Sequence, residues 1–496
     1  MGCFNAGNPA EEPMQAVPHK PAPASRARRV NNDRLLADIA AFCQAAGMAE
    51  STFGRRVAND GKLVSRLRAG GRLTTQTVER IRSFISTARD GRGGESATDT
   101  DADAAPASRS AKLTTRAPPA DSHTRFRFYD NRQKYLLFVS TCTEKWMVAQ
   151  RIEAELANIK PQPPAMRVFD AGTGDGTVLT RLMRSMHDRF TNVPFYIVGK
   201  EISLEDVRLA LEKMPDRFHE HPSTVLVMTN MYYSEAPWLR PNSLAAASGL
   251  VWHELALRGS TAGQFERQIT DLQGFLSENW TAKISKTTGN PIYERPVVLV
   301  IYRDDHKLLL DGVRPRQGAV RADFDLVIAS QPYRARATTQ FKASKVIAPL
   351  ARALGPGGRL IGIHSCGADP GLEIIQRVWP GENPFLMDRH ELLKAAKHAL
   401  GAEARALSFN AYADQRSRFR YRMHTLPSEI NSSIGTSTLL AAWNAAIYVA
   451  QIEDGRLEAV MGDRRYLEAT RDVLQQSGGL WFQNESYVIS RHRFAG

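Results

Sequence analysis

Apolar and polar positions change their rhythm along these 496 residues. In the first part, apolar residues recur every three or four positions: Leu35, Leu36, Ile39, Ala40 and Cys43; Phe53 and Val57; Leu63, Val64 and Leu67; Val78, Ile81, Phe84 and Ile85. That spacing places each set on one face of a helix. Gly47, Asn59-Asp60-Gly61 and Gly70-Gly71 separate the sets with turn signals. Four short helices are predicted over residues 31–90. From residue 123 onward, short unbroken apolar runs alternate with helix-period stretches. Phe195 to Lys200, Thr224 to Met228, Phe324 to Ser330 and Arg359 to Ile363 are the clearest runs. Runs of this kind are expected of strands buried on both faces, so residues 123–496 predict an α/β fold around a parallel sheet.

Two stretches have no period at all. Residues 1–30 are rich in Pro, Ala and Gly and read as a disordered tail. Residues 91–122 run from Gly93-Gly94 through an Asp- and Ala-rich segment to Pro118-Pro119 and read as a flexible linker. The chain is basic, with a formal charge of +13, and six of its cations (Arg55, Arg56, Lys62, Arg66, Arg68 and Arg72) gather in the helical unit. Such a cluster suits phosphates, although a solvated basic face looks the same in sequence. Cys3, Cys43, Cys142 and Cys366 have no metal-ligand spacing, so no metal site is expected. No apolar run reaches membrane length and no apolar signal core opens the chain, which places it in the cytoplasm as an expectation.

The densest chemistry is Val168-Phe169-Asp170-Ala171-Gly172-Thr173-Gly174-Asp175-Gly176-Thr177-Val178-Leu179. A strand ends at Asp170, a Gly-rich turn follows, and Leu179, Leu182 and Met183 begin an amphipathic helix. Glycines let the main chain approach a ligand closely, and the helix N-terminus presents free N–H groups. The next strand ends in Glu201, an acid placed to grip two ribose hydroxyls. Taken alone, the loop also fits a dinucleotide-binding dehydrogenase.

The segment resembles motif I of class I S-adenosylmethionine-dependent methyltransferases, and Gly199-Lys200-Glu201-Ile202-Ser203 resembles their second-strand motif. The resemblance continues in order. Phe324-Asp325-Leu326-Val327-Ile328-Ala329-Ser330 runs into Gln331-Pro332-Tyr333 as motif IV, and Ala353-Leu354-Gly355-Pro356-Gly357-Gly358-Arg359-Leu360 is highly characteristic. A last, antiparallel strand is expected over Leu480–Ser490. The resemblance implies a Rossmann-like sheet and S-adenosyl-L-methionine as cofactor. It implies that Asp170, Gly172, Thr173, Gly174 and Gly176 hold the methionine part, that Glu201 holds the ribose, and that Asn230 and Met231 line the adenine. Ser330, Gln331 and Tyr333 would carry the chemistry, with Ser330 aligning a target amine and Tyr333 stacking on a planar acceptor. Gln331 stands where the family's amine enzymes carry a first Pro.

The helical unit resembles phage-repressor-type helix-turn-helix domains in Gly47–Arg55 and Leu63–Gly70. That resemblance implies exposed Lys62, Ser65, Arg66 and Arg68 and DNA as a partner of residues 31–90. Two interruptions of the methyltransferase pattern, about 235–320 and 426–460, are read as insertions, the first as a cap over the substrate. Tyr129, Arg132 and Tyr135 are expected to close over the cofactor, His364 is a candidate general base, and Arg334 with Arg336 suggests an anionic acceptor. Three functions follow: a small-molecule methyltransferase acting on a planar or amino nitrogen, a nucleic-acid methyltransferase delivered by the helical unit, or a regulator that senses the cofactor.

Overall fold

The computed structural model describes residues 132–493 except 286–289, 426 and 431–432. In the N-terminal region it describes residues 35–45, 48–58, 60–69 and several positions between 77 and 85. The expected tail, the linker and Tyr129 lie outside the described residues. The chain divides into two units, residues 1–116 and 117–496.

In the first unit, residues 35–45 are helical, followed by α1 (Glu50–Ala58) and α2 (Leu63–Arg68). The apolar spacing is realised as a core: Leu35, Ile39, Phe53, Leu63, Leu67 and Ile81 are all buried. Phe42, Phe53 and Phe84 pack with ring centroids 5.7 Å apart. Lys62, Ser65, Arg66 and Arg68 are exposed, as expected. Arg68 is bonded to Glu50 and Arg66 pairs with Asp60, so both guanidinium groups have carboxylate partners within the unit.

The second unit is built on one large sheet. Its strands are β1 (Met166–Asp170), β2 (Phe195–Lys200), β3 (Thr224–Thr229), β4 (Val251–Leu257), β7 (Val297–Arg303), β8 (Phe324–Ser330), β9 (Leu354–Ser365), β10 (Leu407–Asn410), β11 (Arg418–Arg422) and β12 (Trp481–Arg491). A separate hairpin joins β5 (Ala282–Ile284) to β6 (Pro291–Tyr293). The order across the sheet is β10-β12-β9-β8-β1-β2-β3-β7-β4, with β11 also paired to β12. The five central strands are parallel. β12 runs antiparallel between β9 and β10, as the sequence predicts for the last strand.

Alternation within the strands splits the core between the two faces of the sheet. Phe169, Tyr196, Val198, Val225 and Val227 join one apolar cluster, while Met166, Val168, Ile197, Leu226 and Met228 join the other. Full burial on both sides explains why these strands read as continuous apolar runs. Among the described residues no helix is long and apolar enough to cross a membrane.

The first insertion, expected as a cap, contributes two strands to the sheet itself. β7 pairs antiparallel with β3, and β4 pairs with β7 at the edge. Asn230 fixes that join: its amide donates to the Arg295 carbonyl at 2.8 Å and accepts from the Val297 N–H at 2.8 Å. Asp304-Asp305-His306 is a polar turn after β7, with Asp305 bonded to Arg303.

The β9–β12 pairing depends on a missing side chain. Gly362 stands opposite Tyr487, and a Cβ on Gly362 would lie 2.0 Å from the Tyr487 ring. Tyr487 is fully buried, so the ring has no free space to enter. Gly362→Ala is expected to lower stability by about 1–3 kcal/mol, the usual range for overpacking a core. Urea-induced unfolding followed by tryptophan fluorescence checks this.

Candidate functional site

Strand order reverses between β1 and β8: the chain moves from β1 through β2 to β3 on one side, and from β8 to β9 on the other. In open α/β sheets, the crevice at the carboxyl ends of the strands at such a reversal is where ligands bind. The loop 171–176 leaves β1 at that point. The Ala171 N–H donates to the Ile328 carbonyl on β8, and the Thr173 N–H donates to the Lys200 carbonyl on β2. The loop is thereby tied to both neighbouring strands.

Gly176 closes the loop in the left-handed region, with φ +78, and caps α5 (Thr177–Arg189). A Cβ there would lie 2.8 Å from the Ala210 Cα on α6 (Leu204–Glu212). Only glycine satisfies both the backbone angle and the close helix approach. Asp175 secures the start of α5 by accepting from Thr177 Oγ1 and from Lys213 Nζ at 2.9 Å.

The structure brings Asp170, Gly172, Thr173, Gly174, Gly176 and Glu201 together. Glu201 Oε2 accepts from the Gly174 N–H at 2.9 Å, and Oε1 accepts from the N–H groups of Ile202 and Ser203. A carboxylate has about four lone-pair directions, so three backbone donors leave one for a ligand hydroxyl. Asp170 Oδ1 accepts from Gly172 N–H, while its buried Oδ2 and the buried Thr173 Oγ1 have no hydrogen-bond partner among the described residues. Burial pushes the Asp170 carboxyl up to about 6, against the Gly172 hydrogen bond and the charge of Lys145, with Glu201 adding to the rise. Asp206 is also pushed up to about 6, by burial and then by Glu201.

Asn230 and Met231, expected beside the adenine, are placed differently. The Asn230 amide is consumed at the β3–β7 join, and Met231 is fully buried in the core. Tyr233 instead reaches the site: its hydroxyl donates to the Pro332 carbonyl at 2.7 Å, and Glu201 and Asp170 lie near enough to push its pKa up beyond the effect of burial.

The helices before β1, α3 (Arg132–Thr141) and α4 (Glu144–Leu156), supply residues that sequence reasoning missed. Lys145 lies among carboxylates: burial would lower its pKa, but Glu144, Asp175 and Asp206 together raise it. Tyr135, a candidate for closing the pocket, has its hydroxyl 3.4 Å from Asp175 Oδ1 and 3.2 Å from where a Gly174 Cβ would stand. Tyr448 packs on Tyr135, with ring centroids 6.0 Å apart. Tyr448 belongs to α7 (Thr436–Val449) of the second insertion, which therefore reaches the loop.

On the other side of the crevice, the Ser330 carbonyl lies 3.9 Å from the Gly172 Cβ position, so the expected catalytic strand end abuts the loop. Gln331 adopts φ +47, and its amide donates to Ser365 Oγ at 2.9 Å. Buried Glu144 faces Gln331 and Asn484. Tyr333 is buried and bonded to His364 rather than displayed for stacking. Arg336 is committed within the chain: it donates to the carbonyls of Ala450 and Gln451 and pairs with Glu382 at 2.7 Å. It tethers the motif to the second insertion, which accounts for it without an anionic acceptor. Among the described residues no group of three or more His, Cys, Asp or Glu could hold a metal ion.

No known family model and no curated protein matches the chain. Among solved structures, a geranyl diphosphate methyltransferase bound to S-adenosylmethionine aligns at 12% identity over 74% of this chain and 98% of that one, with a TM-score of 0.27. A putative sarcosine dimethylglycine methyltransferase from Galdieria sulphuraria aligns at 10% identity over 75% and 92%, with a TM-score of 0.26. A possible exported protein from Bordetella parapertussis aligns at 12% identity over 70% and 67%, with a TM-score of 0.23.

Proposed function

We propose that this protein is an S-adenosylmethionine-dependent methyltransferase acting on a small molecule. The observation that carries the reading is the charge of the crevice. Asp170, Asp175, Glu201, Asp206 and Glu144 surround it, against Lys145, Lys200 and Lys213. That excess of carboxylate favours a cation. A dinucleotide would bring a pyrophosphate to the start of α5, where Asp175 already stands.

The residues present fit the cofactor. Unpartnered Asp170 Oδ2 and Thr173 Oγ1 would accept from its ammonium group, and Lys145 would hold its carboxylate. Glu201 would take a ribose hydroxyl, while Tyr135 and Tyr448 would shield the methionine end from water. When bound, the cofactor supplies an electrophilic methyl group on a sulfonium. The chain's task is to hold the acceptor in line with that methyl group and exclude water. The second insertion brings Val449 and Gln451 against Gln331 and Ser365 and so walls off that side of the crevice, which favours a small-molecule acceptor over an open nucleic-acid groove.

S-adenosylmethionine at a hundred times its Kd is expected to stabilise the fold by about 2.7 kcal/mol, seen as a raised Tm, whereas NAD should leave Tm unchanged. The reverse pattern would sink the reading. Affinity for S-adenosylmethionine should also fall as pH drops below about 6, where Asp170 takes a proton and stops accepting from the ammonium. The fall approaches about tenfold per pH unit for one linked proton. Calorimetric titrations between pH 5 and 8 check this.

A further inference from the structure

Two fully buried carboxylates of this protein are matched by arginines. Glu155 is held by Arg151 at 3.0 Å and Arg359 at 2.8 Å, and Glu485 by Arg389 at 2.7 Å. Glu144, at the start of α4 and 7% exposed, has no such arginine among the described residues. Lys145, the next residue, acts on it through charge, and the same lysine also acts on Asp170, Asp175 and Asp206. Burying a carboxylate without a matched cation costs stability, and here the cost falls at the proposed site.

Glu144 faces the end of the motif IV strand. The side chains of Asn484 and Gln331 lean toward it and pull its pKa down, but burial outweighs them and drives the carboxyl up. Asn484 is fully buried, and its Oδ1 accepts from Ser365 Oγ at 3.1 Å. Its Nδ2 has no hydrogen-bond partner among the described residues. Gln331 stands at φ +47, where residues other than glycine are uncommon, and is pinned there by its donation to Ser365. Backbone strain of this kind gathers at functional sites. Glu144 also feels the charge of Asp175, so it stands between the glycine loop and motif IV. The narrow space bounded by Gln331, Tyr333, His364 and Gln451 does not include Glu144.

The chemistry of this position suits an amine. A carboxylate can take the extra proton of an ammonium but is far too weak a base to ionise an alcohol. A carboxylate or phosphate acceptor would be repelled by Glu144, Asp170, Asp175 and Asp206. An ammonium meeting a carboxylate and a neutral amine meeting a carboxylic acid give the same complex, so the outcome does not depend on the resting state of Glu144. The unpartnered Asn484 Nδ2 supplies a donor for the carboxylate oxygen that the amine leaves free.

We propose that Glu144 binds and deprotonates the methyl acceptor, and that the acceptor is a small amine that reaches it from the crevice. This rests on the methyltransferase reading. The ammonium gives one proton to Glu144, which frees the nitrogen lone pair. That lone pair forms the new bond to the methyl carbon, and the electron pair of the broken bond stays on sulfur. The methylated amine leaves with a positive charge, and the proton on Glu144 passes to water as the product departs. Glu144 is the catalytic residue; Gln331 and Asn484 are positioning residues.

The probe is sinefungin, which carries an amine-bearing carbon where S-adenosylmethionine has its methyl-bearing sulfur. It presents an ammonium in the place of the methyl group, whereas S-adenosylhomocysteine presents nothing there. By calorimetry on the full chain, wild type should bind sinefungin about tenfold or more tightly than S-adenosylhomocysteine, as one added hydrogen bond to a charged group implies. Glu144→Gln keeps the shape and removes the charge; it should abolish the preference and leave S-adenosylhomocysteine affinity unchanged. If Glu144→Gln fails to fold, Glu144→Asp takes its place, since drawing the carboxylate back should lower the ratio. No preference in wild type, or an undiminished preference in the folded variant, overturns the proposal. Wild type that binds neither compound overturns the methyltransferase reading itself, whereas binding of S-adenosylhomocysteine without a preference for sinefungin overturns only the role of Glu144.

Discussion

Arg389→Ala should cost about 3–5 kcal/mol of stability, the range seen when one member of a buried ion pair is removed and its partner stays charged. Glu485 is fully buried and Arg389 is 2% exposed, so water cannot take the place of the lost guanidinium. The same change removes the guanidinium from the carbonyls of Ala411 and Tyr412, leaving Ala411 with only the Ser417 hydroxyl. Urea-induced unfolding at pH 7 measures the loss. Adding Glu485→Gln to Arg389→Ala should recover part of it, because the uncompensated charge is then gone. The pH dependence has a definite sign. Glu485 is held at about 2 in the fold, below the ordinary glutamate value of about 4.3. Its stabilising contribution is therefore complete above about pH 4.3 and is lost as pH falls from there toward 2. In Arg389→Ala the Glu485 carboxyl loses a cation and rises, so the acid limb of the stability curve should move to higher pH.

The second large effect is expected at Glu201. Its carboxylate holds the Gly174, Ile202 and Ser203 N–H groups and has one direction left for the ribose of the proposed cofactor. Hydrogen bonds to a charged group contribute about 1.5–3 kcal/mol each. Glu201→Ala removes the ribose contact and also frees the loop at Gly174, so S-adenosylmethionine affinity should fall by about a hundredfold or more, two such contacts' worth. Global stability should change far less, because Glu201 is only half-buried at the rim of the crevice.

Local patterns in the chain announced much of this fold. Helical spacing from Leu35 to Ile85 became a packed core because three- and four-residue periods are set by backbone geometry alone. The runs at β1, β2, β3 and β8 were legible because strands covered on both faces have no polar side to interrupt them. The glycines of the loop were legible because their backbone demands are local.

The parts that escaped are long-range. Val251–Leu257 carries His253 and Glu254 and gives no sign of a strand, since an edge strand needs no apolar run. Asn230 follows β3 where a ligand contact is expected, yet its amide meets Arg295 and Val297, 65 and 67 residues away. Arg336 suggested an anionic acceptor until the fold supplied Glu382 and the Ala450 carbonyl. His364 was visible as a candidate base, but its partner Glu485 lies 121 residues further on. No period or spacing connects them; the antiparallel pairing of β9 with β12, which sets His364 against Glu485, does. Lys145 and Glu144 were missed for the same reason, being ordinary charges at a helix start until β1 and β8 are placed beside them.

The crevice at the ends of β1 and β2 is the proposed site for S-adenosylmethionine, held by Asp170, the glycine loop and Glu201. Isothermal titration of the full chain with S-adenosylmethionine, beside Glu201→Ala, tests it most directly. Saturable one-to-one binding by wild type that collapses in a folded Glu201→Ala is the predicted result. A folded wild type that takes up no S-adenosylmethionine, or equal affinity in the two proteins, would contradict it.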